Sequence, residues 1–264
     1  MTAINVEAVH RRDRRFVLAG IGAITALSWA YIIYLAWRMV AMPMPAAGMG
    51  MAMPQWQPWS AIDFVLMLLM WAVMMLAMMV PSASPMILTF TSVQRRRKAQ
   101  GNAFVPTAVF VTGYALVWAT FSLGATLAQW GLHQAALLSP MMVNTSPLLG
   151  GTMLVAAGAY QWSGLKNVCL AKCRTPLGFL LTEWRDGARG ALVMGLRHGA
   201  FCTLCCWALM ALLFVGGVMN LLWVAAIAGF VLLEKIAPER WHVERIAGVG
   251  LLAWGGWLLA GTFI

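Results

Sequence analysis

Apolar residues in this chain do not alternate with polar ones; they run on in long stretches separated by short basic clusters. A bilayer core of roughly 30 Å needs about 20 apolar helical residues, and several runs reach that length. Phe16 to Trp37 follows Arg11, Arg12, Arg14 and Arg15 and exceeds the roughly 7–15 residues of a cleavable signal core, which predicts a retained anchor helix. Phe64 to Gln94 predicts a second span that kinks or ends in a re-entrant turn at Pro81 and Pro85. Ala99 to Leu165 contains no Asp, Glu, Lys or Arg, is too long for one helix and breaks at Ser139-Pro140 and between Asn144 and Pro147, giving spans three and four. His198 to Leu233 divides at Gly216-Gly217 and Asn220 into spans five and six, and Ile246 to Ile264 supplies the seventh.

The basic residues select this count. With seven spans, all but Arg38 of the 18 Lys and Arg fall on one side, as the positive-inside rule requires. Merging spans five and six would put Lys235, Arg240 and Arg245 on the opposite side. The expected fold is therefore all-α, a polytopic membrane helix bundle of seven transmembrane helices with its N-terminus cytoplasmic and its C-terminus outside. Residues 1–60 form a basic tail, an anchor helix and an outer loop, and residues 61–264 form the main bundle. Composition agrees: 62% of the 264 residues are hydrophobic and 10% charged, with a mean hydropathy of +0.79, which excludes a soluble globular domain. The net charge of +10 does not indicate a nucleic-acid partner, because the basic residues are distributed between spans and form no continuous face. The partner that the pattern implies is the lipid bilayer.

Twenty methionines are several times the usual content, and their placement suggests chemistry. Met42, Met44, Met49, Met51 and Met53 punctuate the outer loop at short spacing among Pro, Ala and Gly. Thioether sulfur is a soft, uncharged ligand that suits Cu(I) and persists in an oxidising compartment. The loop therefore reads as a copper-collecting segment, or else as an apolar loop resting on the membrane interface. In span two, Met67, Met70, Met74 and Met78 share one helical face, with Met75 and Met79 a second pair one turn apart. Such a face would pass a soft cation from ligand to ligand; methionine is equally an adaptable filler of apolar cores.

The five cysteines are an odd number and cannot all pair within the chain. Cys169 and Cys173 are four apart after span four, so a continuing helix puts both on one face, while His198, Cys202 and Cys205 recur at four and three residues in span five beside Cys206. Both groups fall at the cytoplasmic end, where thiols stay reduced, and together offer thiolate and imidazole ligands for Cu(I) or Zn(II). Gly195 and Gly199 allow a neighbour to approach this part of the helix closely. The rival readings are small buried hydrophobes and, for Cys205-Cys206, palmitoylation.

These residues also carry a resemblance. From about Met74 to Pro238 the chain contains Met78-Met79-Val-Pro81-Ser-Ala-Ser-Pro85-Met86, Gly158-Ala-Tyr160-Gln161, Cys169-x-x-x-Cys173-Arg174-x-Pro176, Gly195-Leu-Arg197-His198-Gly199-x-x-Cys202-x-x-Cys205-Cys206-Trp207 and Glu234-Lys235. In these segments it resembles a bacterial family of unknown function described as predicted metal-binding integral membrane proteins. The resemblance implies a multi-pass protein of the bacterial inner (cytoplasmic) membrane that binds metal, and implies no activity. The first span and the methionine loop lie outside it.

Other polar residues have plainer readings. Ser60 and Asp63 form a capping-box start for span two. Glu234 and Lys235 read as a snorkelling pair, Glu234 having the option of facing the Cys/His cluster, and Arg197 reads as an interfacial anchor or a cation beside the thiols. His133 falls in an outer loop and is not counted as a ligand. No Walker A sequence, G-x-S-x-G elbow or H-E-x-x-H is present, so nothing supports hydrolysis or nucleotide use. The expectation is a soft-metal handling membrane protein: Met42, Met44, Met49, Met51 and Met53 collect, span two (Met74 and Met78 among others) relays, and Cys169, Cys173, His198, Cys202, Cys205 and Cys206 receive. A metallochaperone or membrane-complex partner would complete the path. The alternatives are an accessory or assembly subunit and a membrane thiol oxidoreductase using Cys202, Cys205 and Cys206.

Overall fold

The computed structural model describes residues 6–41, 59–135, 137 and 146–262, and all the regular structure among them is helical. The helices are α1 (Val6–Ala41), α2 (Ala61–Ala99), α3 (Thr107–Gln134), α4 (Pro147–Gln161), α5 (Gly164–Arg174), α6 (Pro176–Glu183), α7 (Gly187–Ala211), α8 (Leu213–Gly216), α9 (Leu221–Ile236) and α10 (Val243–Ala260), with a 3-10 turn at Glu239–Trp241 before the last. Local chemistry sets their starts. Ser60 and Asp63 form the reciprocal capping box expected for α2. Ser146, Ser163 and Asn220 accept from the backbone N–H three residues on at the starts of α4, α5 and α9, satisfying donors that a helix leaves open.

Among the described residues, five helical segments are long and apolar enough to cross a membrane: those within α1, α2, α3, α7 with α8, and α10. At 1.5 Å per residue the 15-residue α4 and 16-residue α9 reach only about 22 and 24 Å, shorter than a bilayer core. Large apolar side chains such as Leu27, Leu69, Leu181, Leu222 and Trp257 cover the outside of the bundle, a surface that water would not tolerate over such an area.

Two expectations are corrected by the fold. Of the two alternatives at Pro81 and Pro85, the re-entrant turn is excluded: helix α2 neither ends nor turns back there but continues through both prolines over its 39 residues. Each proline removes the N–H that would serve the carbonyl four residues earlier, and packing against α1, α3, α6 and α9 holds the segment helical all the same. Hydroxyls bond into the same stretch, Ser82 Oγ to the Met79 carbonyl and Thr89 Oγ1 to the Pro85 carbonyl. The second correction concerns Cys169 and Cys173, which do not continue the preceding span. The chain breaks at Trp162-Ser163 and a separate helix, α5, begins under the Ser163 cap.

Glycines decide how closely the bundle packs. A Cβ on Gly195 would stand 2.1 Å from the Phe110 carbonyl oxygen and one on Gly113 2.3 Å from that of Leu192, so α3 and α7 touch backbone to backbone. Gly151 and Gly158 of α4 do the same against Gly248 and Gly255 of α10. This close α3–α7 seam is what brings Tyr114 of α3 up to Cys202 of α7.

Candidate functional site

Polar side chains from five helices converge at one buried place. Helix α7 presents His198, Cys202, Cys205 and Cys206, all at or below 2% exposure, because they recur on its bundle-facing side. Helix α5 packs against α7 with Cys169 and Cys173 on its own buried face. This packing sets the two cysteine arrays on neighbouring helices.

Cys202 is the centre of the arrangement. Its sulfur lies 3.2 Å from the Tyr114 hydroxyl and 3.0 Å from Lys235 Nζ, which donates to it. The Tyr114 hydroxyl also reaches the Met79 carbonyl at 3.2 Å, and Lys235 Nζ donates to Ser82 Oγ at 2.7 Å. One sulfur is thereby tied to α2, α3 and α9 at once. Cys205 and Cys206 each donate from Sγ to the Cys202 carbonyl at 3.0 Å. With those thiols folded back onto their own helix, no group of three or more His, Cys, Asp or Glu among the described residues stands as a metal-holding set.

His198 is enclosed by the rings of Phe110, Tyr114 and Phe179, with centroids 6.1, 5.8 and 5.4 Å away. Its Nδ1 is buried and has no hydrogen-bond partner among the described residues. An orphaned imidazole nitrogen in a core costs free energy unless something fills it, and imidazole is a ready ligand for copper or zinc.

The methionines of α2 turn inward. Met70, Met74, Met75, Met78, Met79 and Met86 are all at or below 3% exposure, so both of the helical faces recognised in the sequence lie inside the bundle. Toward the start of α2, Met67 Sδ receives a bond from Gln129 Nε2 at 3.8 Å, and Trp71 Nε1 donates to Gln129 Oε1 at 2.6 Å. Met42, Met44, Met49, Met51 and Met53 lie outside the described residues.

One charged-residue reading is overturned and one is narrowed. Of its two readings, Arg197 is not a cation beside the thiols; it pairs with Glu183 and is half exposed. Glu234 and Lys235 are neither partners nor snorkelling, because both are buried: Glu234 holds Lys166 at 2.7 and 2.9 Å, and Lys235 holds Ser82 and Cys202. Tyr114, Ser82 and Lys235 are the site residues that the sequence did not single out. For Lys235 a signal existed, since it continues the buried stripe Val224, Ile227 and Val231 of α9 at helical spacing. For Tyr114 the only mark was the adjacent Gly113.

A helical bundle with membrane-length apolar helices and a core of thiols, thioethers and one imidazole defines a candidate soft-metal protein. Residues 68–258 match the PpoB2 family, described as copper chaperone, and the chain belongs to that family. No curated protein and no solved structure matches the chain. The match agrees in general with the copper handling expected from the sequence, and spans every cysteine and all of α2 from Leu68 onward.

Proposed function

We propose that this protein is a multi-pass inner-membrane carrier of Cu(I), with the cysteine cluster as its receiving site. Seven helices cross or enter the bilayer, the short α4 and α9 among them, with the N-terminus cytoplasmic. Methionines 42–53 collect the ion outside, the buried methionines of α2 pass it inward, and Cys173 and Cys202 bind it first, with Cys205, Cys206, Cys169 and His198 available around them. The observation that carries this reading is the placement of Cys202: a buried sulfur beside the Lys235 ammonium, on a helix packed against the one that bears Cys169 and Cys173, in a bundle whose core holds a file of thioethers and in a family described as copper chaperone. Soft ligands of this kind favour Cu(I) over hard cations. Lacking any nucleotide-binding motif, the chain moves copper down a gradient of affinity to a metallochaperone or membrane partner that removes it.

The test is copper content of the detergent-purified protein loaded with Cu(I) under reducing conditions. Wild type should retain copper through chromatography, and Cys173→Ser with Cys202→Ser should not. Equal copper in the two proteins would exclude the cysteine cluster as the receiving site.

A further inference from the structure

Charge must balance in a buried site, and around the cysteines the balance is uneven. Lys166 and Glu234 form a closed pair with side chains 0% and 1% exposed, and Arg174 and Glu244 form another at 3.1 Å. Arg174 also donates through Nε to the Glu234 carbonyl, so it is fully engaged. Lys235 is left with no carboxylate among the described residues: it donates to a hydroxyl, Ser82, and to a sulfur, Cys202. Tyr114, His198 and the other cysteines around it bring no fixed negative charge. Leaving aside the cysteines that would hold the metal, the site therefore has one ammonium with no carboxylate to balance it, set 3.0 Å from the sulfur proposed to bind metal.

We infer that Lys235 sets the valence of the bound ion, making the cysteine site selective for a monovalent metal held by two thiolates. This rests on the Cu(I) reading above and adds the rule by which the site tells copper from zinc. Two deprotonated sulfurs on a monovalent ion leave a net charge of minus one, which the Lys235 ammonium cancels. The same two sulfurs on a divalent ion are already neutral, and Lys235 then remains a buried, uncompensated cation, which a low-dielectric interior penalises heavily. Soft ligands alone do not discriminate in this way, since thiolates take Zn(II) readily. The discrimination comes from a residue that need not touch the metal.

Silver(I) is a redox-inert monovalent probe, to be competed against Zn(II) on the purified full-length protein. Wild type should retain Ag(I) against excess Zn(II). Lys235→Leu, which is uncharged and adds no metal ligand, should lose at least tenfold in Ag(I) affinity while Zn(II) affinity holds or rises; Lys235→Arg should keep the wild-type preference. Zinc retention by the leucine variant shows that its site is folded. Where that variant does not purify as a monodisperse protein, Lys235→Gln, which keeps a donor for Ser82, takes its place. An unchanged Ag(I) to Zn(II) ratio in the neutral variant would overturn the valence rule and leave the copper reading standing. Wild type that holds neither ion through its cysteines would overturn both.

Discussion

Lys166 of α5 and Glu234 of α9, 68 residues apart, face each other with both carboxylate oxygens within 2.9 Å of one ammonium and almost no exposure to solvent. The pair closes the end of the bundle beside the cysteine cluster, since Cys169 and Cys173 ride on the same short helix as Lys166 and Lys235 follows Glu234 directly. Its worth lies in fixing that helix against α9. Removing one partner leaves the other charge buried without compensation, at a cost of about 3–5 kcal/mol. Glu234→Gln should therefore lower the unfolding temperature in detergent markedly, whereas Lys166→Met combined with Glu234→Leu should recover most of the loss. A single Glu234→Gln variant as stable as wild type would show that the pair is not enclosed in the native protein.

The α3–α7 seam gives a second prediction. A methyl on Gly195 would meet the Phe110 carbonyl oxygen, so Gly195→Ala must push the helices apart, a typical overpacking cost of about 1–3 kcal/mol. Because the same seam sets Tyr114 against Cys202, retained metal should fall with stability. Gly124→Ala is the matched control: nothing lies within 4 Å of that position, and alanine is the better helix former by about 1 kcal/mol. Melting temperature should fall for Gly195→Ala and hold or rise for Gly124→Ala, and copper content should fall in the first alone; identical behaviour would mean the helices do not touch as described.

The helices and the sulfur groups are legible in the sequence for a simple reason: both are periodic and local. Uncharged runs mark α1, α2, α3, α7 and α10, and intervals of three and four residues are enough to place His198, Cys202 and Cys205 on one face. What stays hidden depends on pairs far apart in the chain. Lys235 meets Ser82 across 153 residues and Tyr114 meets Cys202 across 88, distances over which no spacing rule operates. Glu234 beside Lys235 invites pairing of neighbours, yet adjacent helical positions point about 100° apart, and each finds its partner elsewhere. At Pro81 and Pro85 the re-entrant alternative fails in the opposite direction, because the local penalty of a proline is real and the surrounding helices outweigh it.

Topology is open to direct measurement. Seven membrane-embedded helices with a cytoplasmic N-terminus put Ile264 outside, so a periplasm-dependent enzyme fused there should be active and a cytoplasm-dependent reporter silent. The reverse would mean that α4 or α9, each shorter than a bilayer core, does not cross. If α4 is the one that does not cross, the cysteine cluster moves to the other compartment, and the direction of copper flow would have to be redrawn.

The two sulfur chemistries differ in one property that separates their roles. Thioethers are neutral and need not lose a proton to bind, so capture by methionines 42–53 should vary little with pH. Thiolate and imidazole ligands compete with protons, so the inner site should release copper as the medium is acidified. Replacing Met42, Met44, Met49, Met51 and Met53 with leucine nearly preserves apolar volume. That variant should fold and, when loaded after purification, show the wild-type acid release, but cells carrying it should accumulate less copper when supply is limiting. Cys202→Ser with Cys205→Ser should show the opposite pattern, with little retained copper at any pH. If the leucine variant accumulates copper as well as wild type at limiting supply, the loop does not collect the ion, and the inner cysteines must receive it by another route.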